Sequence, residues 1–394
     1  MSRVAALGQY QPVWEERGQR VTGPDEDLVT LAVAAGRLVV DAENSAQRVV
    51  LVCSEPEYLD GAPLPVLLRG LDLSPEVPAE LRVGSSPAVL DAVANAATGT
   101  LVIGVTTGRG ACAGAALVGD RGMLLDACGS VANSLPMRVH NIHEQQTHVY
   151  ADGRVERELG WKPTIDALAS GHDKPMVVGI DAKDAKRLGG RILDGVPSGA
   201  AGPIFALGAM VEQLEGGRLV AVDAAIGTAV TVSGVGEATV ARDVRPPVPA
   251  ASRPRVIGAE LTIPFSMPSY ERAVVEKLTL MANRCPQCGT EAYPRRERCI
   301  NCGRMGDGET FALPRSGEIY STVTVFAPVP GVPTPRALTI VSLPPTTVRV
   351  LAVVTDVPAD MAKIGGRGEL VLRLVAIREG VPDYGYAFRP EVTA

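Results

Sequence analysis

Aromatic side chains are scarce in this chain: five Phe, two Trp and eight Tyr make up 4% of 394 residues. Proteins that hold single-stranded nucleic acid stack bases on exposed rings inside a basic groove. Here rings are few and the net charge is −6. The local basic run Arg295-Arg296-Glu297-Arg298 reads as solvated loop surface rather than as a phosphate footprint. No nucleic-acid partner is expected. Long apolar runs are also missing. Charge-free stretches such as 200–211 are too short to cross a bilayer. The first 18 residues lack the basic and then apolar segments of a secretory signal. No membrane association and a cytoplasmic location are therefore expected. Cysteine is sparse, at seven residues, which fits a reducing compartment better than a disulfide scaffold. Only four histidines are present, His140, His143, His148 and His172, so acid–base chemistry has few candidates.

Small and aliphatic residues dominate. Hydrophobic residues reach 46% and charged residues 21%, with 42 glycines, a palette suited to tightly packed α/β layers. The length predicts two or three domains. Within this background four cysteines stand out: Cys285, Cys288, Cys299 and Cys302, in Cys-Pro-Gln-Cys-Gly and Cys-Ile-Asn-Cys-Gly, ten residues apart. Two such knuckles present four thiolates to one ion, the tetrahedral shell of a structural zinc site with no open position for substrate. Gly289 and Gly303 allow the left-handed turn that aims backbone N–H groups at sulfur. Four unrelated thiols or two disulfides are the competing readings. Cys53 and Cys112 read as buried small hydrophobes, and the sequence leaves Cys128 undecided. His140, His143 and His148 with Glu144 read as a polar loop or hairpin in preference to a second metal site. The glycine-rich text 104–114 lacks the Lys-Ser/Thr of a P-loop and the dinucleotide fingerprint, so it reads as core turns.

Organisation follows from apolar runs and turn residues. Strands are predicted at 4–8, 48–53 and 101–105, and helices at 25–40 and 86–97. Residues 113–118 and 123–125 read as paired short strands. A second set follows: strands at 176–179, 218–222 and 229–232, and a helix at 200–214. Helix, glycine turn and strand recur in both halves, which predicts an internally duplicated α/β fold. Residues 243–255 are Pro- and Arg-rich and read as an extended spacer. A helix is predicted at 270–283, and strands from 318 onward read as a small barrel.

The last third, about 265–392, resembles the DUF35 family, which joins a rubredoxin-like zinc ribbon to an OB-fold. The matching text is the helix before the knuckles, the four cysteines with their glycines, Ser316-Gly317-Glu318-Ile319-Tyr320-Ser321, and Asp383-Tyr384-Gly385-Tyr386-Ala387-Phe388-Arg389-Pro390. The first 243 residues resemble a shortened thiolase-superfamily domain of the 3-hydroxy-3-methylglutaryl-CoA synthase and ketoacyl synthase III type. That text is Gly23-Pro24-Asp25-Glu26-Asp27, residues 81–90, 110–119 and 199–207, and Gly217-Arg218-Leu219-Val220-Ala221-Val222. The expected domains are 1–243 degenerate thiolase-like, 244–264 linker, 265–310 helix and zinc ribbon, and 311–394 OB-fold.

Thiolase-type chemistry requires a nucleophilic Cys at a helix N-terminus, with His and a second polar group to move protons. The nucleophile is expected near Arg82 to Gly84, where no Cys stands; the available hydroxyls are Ser85 and Ser86 at the start of the helix, far less acidic than a thiol and in need of a well-placed base. Residues 194–199 supply neither His nor Asn. The resemblance therefore implies a non-catalytic or weakly catalytic acyl-CoA-binding accessory subunit of a carbon–carbon bond forming or cleaving complex. Its partners would be a second copy of itself or a catalytic thiolase-type subunit. Arg284, Arg295, Arg296, Arg298 and Arg304 are the candidates for CoA phosphates, because guanidinium pairs bidentately with phosphate. The alternatives are a stand-alone acyltransferase of the hydroxymethylglutaryl-CoA synthase type using Ser85 or Ser86, and an OB-fold nucleic-acid binder, which the composition disfavours.

Overall fold

The computed structural model describes residues 1–391 except 42–44, 57–62, 134, 136–137, 142, 145, 151, 170, 172–173, 225, 257–263, 307 and 328–331. The chain divides into two compact units. The first comprises 1–11, 34–64 and 76–244; the second comprises 12–33, 65–75 and 245–394. The grouping departs from chain order, because 12–33 and 65–75 fall within the thiolase-like stretch of the sequence but pack with the C-terminal residues.

The first unit is built on one mixed sheet. Its strands run in the order Met176–Val178, Gly217–Val222, Ile226–Ser233, Met123–Ala132, Ser2–Gln11, Cys112–Val118, Thr100–Thr106, Arg48–Cys53, Ala79–Val83, and Thr239–Val244 also pairs with Ser2–Gln11. The expected duplication is visible in the pairing. Arg48–Cys53 lies parallel to Thr100–Thr106, which returns antiparallel through Cys112–Val118. Met176–Val178 lies parallel to Gly217–Val222, which returns through Ile226–Ser233. The helices Ser86–Ala94 and Gly202–Gln213 precede the corresponding strands of the two halves. Their apolar residues share one core with the sheet, including Val89, Leu90, Val93, Ile204, Leu207 and Met210.

Close approach of helix to sheet explains the abundance of glycine. A Cβ at Gly104 would lie 2.5 Å from the Ala200 carbonyl oxygen, and one at Gly114 would lie 2.8 Å from Ile204. The pairing expected between 113–118 and 123–125 is not formed: Cys112–Val118 and Met123–Ala132 are strands that do not pair with each other. Ser2–Gln11 lies between them. The turn between them crosses that strand, with Gly119 N–H donating to Arg3 O at 2.8 Å. Gly122, at φ 126°, is so close that a Cβ would meet Val4 O at 2.0 Å. The first helix is also shorter than predicted, Leu28–Gly36. Asp27 caps it in a reciprocal box, Thr30 N to Asp27 Oδ1 at 2.9 Å and Asp27 N to Thr30 Oγ1 at 2.7 Å, so the acidic run stands before the helix.

In the second unit the helix Met267–Thr279 ends where Leu280 turns left-handed at φ 52°. The last residues predicted as helix are instead the strand Met281–Arg284. It pairs with Glu291–Ala292 and Glu309–Ala312 to frame the knuckles. Beyond it five antiparallel strands run in the order Arg349–Val353, Arg336–Ser342, Ser316–Val325, Arg367–Arg378, Val381–Pro390. A bridge from Val354 to Phe388 closes them into a small barrel around Ile319, Val341, Val350, Leu370 and Phe388. The Pro-rich stretch is partly tied down: Val248–Pro249 pairs with Trp14–Glu16, and Arg255–Val256 with Pro333–Thr334. Residues 257–263 of the expected linker lie outside the described residues.

Replacing Gly104 by Ala is expected to lower stability by roughly 1–3 kcal/mol, the usual cost of overpacking a filled core. Chemical denaturation with two independent probes measures it.

Candidate functional site

The four knuckle cysteines come together as the spacing predicts. Their sulfur atoms all lie within 4.8 Å of one another. Cys285 Sγ is 3.7 Å from Cys302 Sγ, and Cys288 Sγ is 3.5 Å from Cys299 Sγ. A disulfide needs about 2.05 Å, so the competing disulfide reading does not fit. Four sulfurs at zinc bond length around one ion stand about 3.8 Å apart, which these separations match. The backbone explains the arrangement. Gly289 and Gly303 adopt φ 71° and 74°, and their N–H groups donate to Cys285 O and Cys299 O at 2.9 and 3.1 Å. The Thr290 hydroxyl and N–H hydrogen-bond to Cys288 and hold its thiol down to about 6. The Cys302 and Asn301 N–H groups likewise lower Cys299. These donors favour thiolates, the form a metal requires.

A shallow cleft opens beside the knuckles, lined in part by Cys285, Cys299, Arg296, Ile300 and Arg304. The five candidate arginines differ in their surroundings. Arg284 pairs with Glu291 at 2.8 Å and lies over the Phe311 ring, and Arg295 pairs with Glu276 at 2.7 Å. Arg296, Arg298 and Arg304 are exposed and have no carboxylate partner among the described residues. Ile300 is 67% exposed on the same surface.

Ser85 and Ser86 sit at the start of the helix Ser86–Ala94, as expected. Ser85 is its N-cap but makes no side-chain capping bond. Ser86 is fully buried, and its hydroxyl donates to Gly199 O at 2.5 Å. Nearby, Cys112 packs against Ala201 and Phe205. Burial pushes its thiol up to about 12. Cys53 is buried and Cys128 exposed. His143 and His148 belong to an exposed hairpin, Arg138–Asn141 with Gln146–Val149, where His148 Nε2 meets Glu144 at 2.8 Å. His172 lies outside the described residues. On the barrel, Tyr384 and Phe388 are buried, while Tyr320 and Phe326 are exposed, with Arg349 over the Tyr320 ring at 3.6 Å. No helix among the described residues is long and apolar enough to cross a membrane.

No protein-family model matches the chain. A DUF35 domain-containing scaffold protein of Methanothermobacter thermautotrophicus is 30% identical over 124 residues, covering 30% of this chain and 92% of that protein. The chain belongs to the DUF35 family. A second DUF35 scaffold protein, from Methanocaldococcus jannaschii, is 31% identical over 123 residues and is covered to 86%. Among solved structures, an Ltp2-ChsH2(DUF35) aldolase shares 25% identity, covering 31% of this chain and 91% of that one, with a TM-score of 0.26. An HMG-CoA synthase complexed with CoA shares 11% identity, covering 61% and 88%, with a TM-score of 0.43. These structural likenesses are partial, and membership rests on the two archaeal relatives. The chain thus joins a layered α/β unit to a DUF35 domain.

Each purified chain is expected to carry one zinc ion, measured by elemental analysis. Cys285→Ala is expected to abolish that stoichiometry. Chelation is expected to speed proteolysis between Met281 and Ala312.

Proposed function

We propose that this chain is an acyl-CoA-binding accessory subunit of a thiolase-type complex, contributing no nucleophile of its own. The observation that carries this reading is the state of Ser86. A hydroxyl nucleophile needs a base at its oxygen. Among the described residues its one hydrogen-bond partner is the Gly199 carbonyl, which can accept the proton's hydrogen bond but cannot remove the proton. Ser86 thus serves as a strut between the two halves of the duplicated fold. The names of the archaeal relatives, which are scaffold proteins, support the same reading.

The zinc knuckles would hold the ribbon in shape and take no part in chemistry, because four thiolates leave no open coordination position. CoA would meet the ribbon through Arg296, Arg298 and Arg304, whose guanidinium groups are free to pair with phosphate. Ile300 would offer apolar surface to the rest of the ligand. Arg284 and Arg295 are engaged with acids and would contribute less. The partner, a thiolase-type enzyme, would supply the catalytic Cys and His set.

Stoichiometric co-purification from the native host with a thiolase-type enzyme bearing an intact Cys and His set is the expected result. Recovery of a lone homodimer that forms an acyl adduct on Ser86 from acetyl-CoA would instead establish the synthase reading. Calorimetry of the complex with CoA is expected to show Arg296→Glu with Arg304→Glu weakening binding at least tenfold. Ser86→Ala is expected to leave the turnover of the complex unchanged and to lower stability by about 1 kcal/mol, because it removes the hydrogen bond to the half-buried Gly199 carbonyl.

A further inference from the structure

Five carboxylates and three guanidinium groups meet inside the second unit, where residues 23–30 lie against the barrel. Arg373 Nη2 is 2.7 Å from Asp356 Oδ2 and 3.5 Å from Glu26 Oε1, and its Nε is 3.9 Å from Asp25 Oδ2. Arg389 bonds Glu369 at 2.6 Å and lies 3.8 Å from Asp356. Arg245 is 3.6 Å from Glu369. Asp27 accepts from the Tyr384 hydroxyl at 2.5 Å and from Thr30 N at 2.9 Å. Glu26 accepts from Gly23 N at 2.7 Å, and Asp356 is hydrogen-bonded by the Thr355 hydroxyl at 3.2 Å.

With every acid ionised, five negative charges would face three positive ones. Arg373, Glu26 and Asp356 keep only 2%, 0% and 0% of their side-chain surface, so water does little for these three, while Glu369, at 45%, is solvated. Binding a proton relieves it. Among the described residues Asp25 has no guanidinium nitrogen nearer than 3.9 Å, and its anion is otherwise held by the Thr355 hydroxyl and its own backbone N–H. The Asp25 side chain also retains 24% of its surface, which gives a proton a way in.

We propose that residues 23–30 dock on the barrel together with one proton held by Asp25, so that this attachment tightens on acidification and loosens as the pH rises. Burial raises the Asp25 carboxyl above its ordinary value of 3.8, against the pull of Arg373 and with a push from Asp356. Burial also raises Asp27, against the Tyr384 and Thr30 hydrogen bonds. A carboxyl raised in the folded state contributes its stability in full below 3.8 and loses it as pH rises through the folded value. Glu80 and Glu291, lowered by their partners, act in the opposite sense. The informative quantity is therefore the difference between variant and parent.

The test is hydrogen exchange of amides 12–33 in the full-length protein, corrected for intrinsic rates, at several pH values from about 4 to 8. Parent, Asp25→Asn and Asp25→Ala are compared. At the alkaline end both variants are expected to exchange at least threefold more slowly than the parent, and all three are expected to converge near the acid end. A protonated-carboxyl infrared band that outlasts those of the exposed acids as the pH rises is expected in the parent and is expected to vanish in Asp25→Asn. Faster exchange in the variants at the alkaline end would overturn the proposal, showing Asp25 to be an ionised partner of Arg373. A variant–parent difference that does not change with pH would overturn it equally.

Discussion

One guanidinium organises the second unit. Arg373 is almost wholly buried and reaches Asp356 on the barrel and Glu26 and Asp25 on the chain's N-terminal segment. A buried cation that loses a partner costs several kcal/mol, so its acids are fixed in place. Leu374 N donates to Asp25 O at 2.9 Å on the neighbouring backbone, and Arg20 Nη2 donates to Arg245 O at 2.7 Å. The stretch 12–33 is thereby joined to strands encoded some 350 residues later by polar contacts of high directional demand. The small apolar cluster of Val13, Trp14, Val21 and Ala250 adds area to the same attachment but little direction.

Much of this structure is legible in the sequence, and what is hidden shares one cause. The knuckle cysteines, the helix before them and the barrel strands are encoded locally, by spacing, periodicity and turn residues. The recurrence of helix, glycine turn and strand in both halves is equally local, and it appears in the pairing of Arg48–Cys53 with Thr100–Thr106 and of Met176–Val178 with Gly217–Val222. What the sequence misplaces depends on distant partners. Residues 112–118 and 123–132 look like a hairpin because they are close in sequence, yet Ser2–Gln11 intervenes. The acidic run 25–27 looks like a helix start, but two of its members are spent on Arg373 and the third on a cap. Which arginines near the knuckles are free also depends on partners: Glu276 for Arg295, Glu291 for Arg284. At Ser86 the residue type was legible, while its single bond to Gly199 was not.

The two parts of the molecule use small residues differently. In the α/β sheet, Gly104 and Gly114 let helix backbone lie almost on strand backbone, so shape is set by what is absent from the side chain. Around the knuckles, Gly289 and Gly303 have open space where a Cβ would stand, with no neighbour nearer than 3.8 Å. There the demand is conformational, a positive φ that frees N–H groups for sulfur. Substitution at the first pair costs packing, and at the second it costs donor geometry.

The bond between Asp27 and Tyr384 spans 357 residues, and this separation has a consequence for biosynthesis. At about 5–20 residues per second, the N-terminal stretch leaves the ribosome well before its barrel partners exist, by roughly 20–70 seconds. During that interval Val13, Trp14, Val21 and Leu28, all buried in the finished protein, have no surface of the second unit to cover them. The sheet of the first unit can assemble meanwhile from strands that lie before residue 245. The segment therefore waits as an apolar, acidic strap until Val381–Pro390 brings the tyrosine that fastens it. A chain that stops before Tyr384 therefore lacks the fastener for residues 12–33.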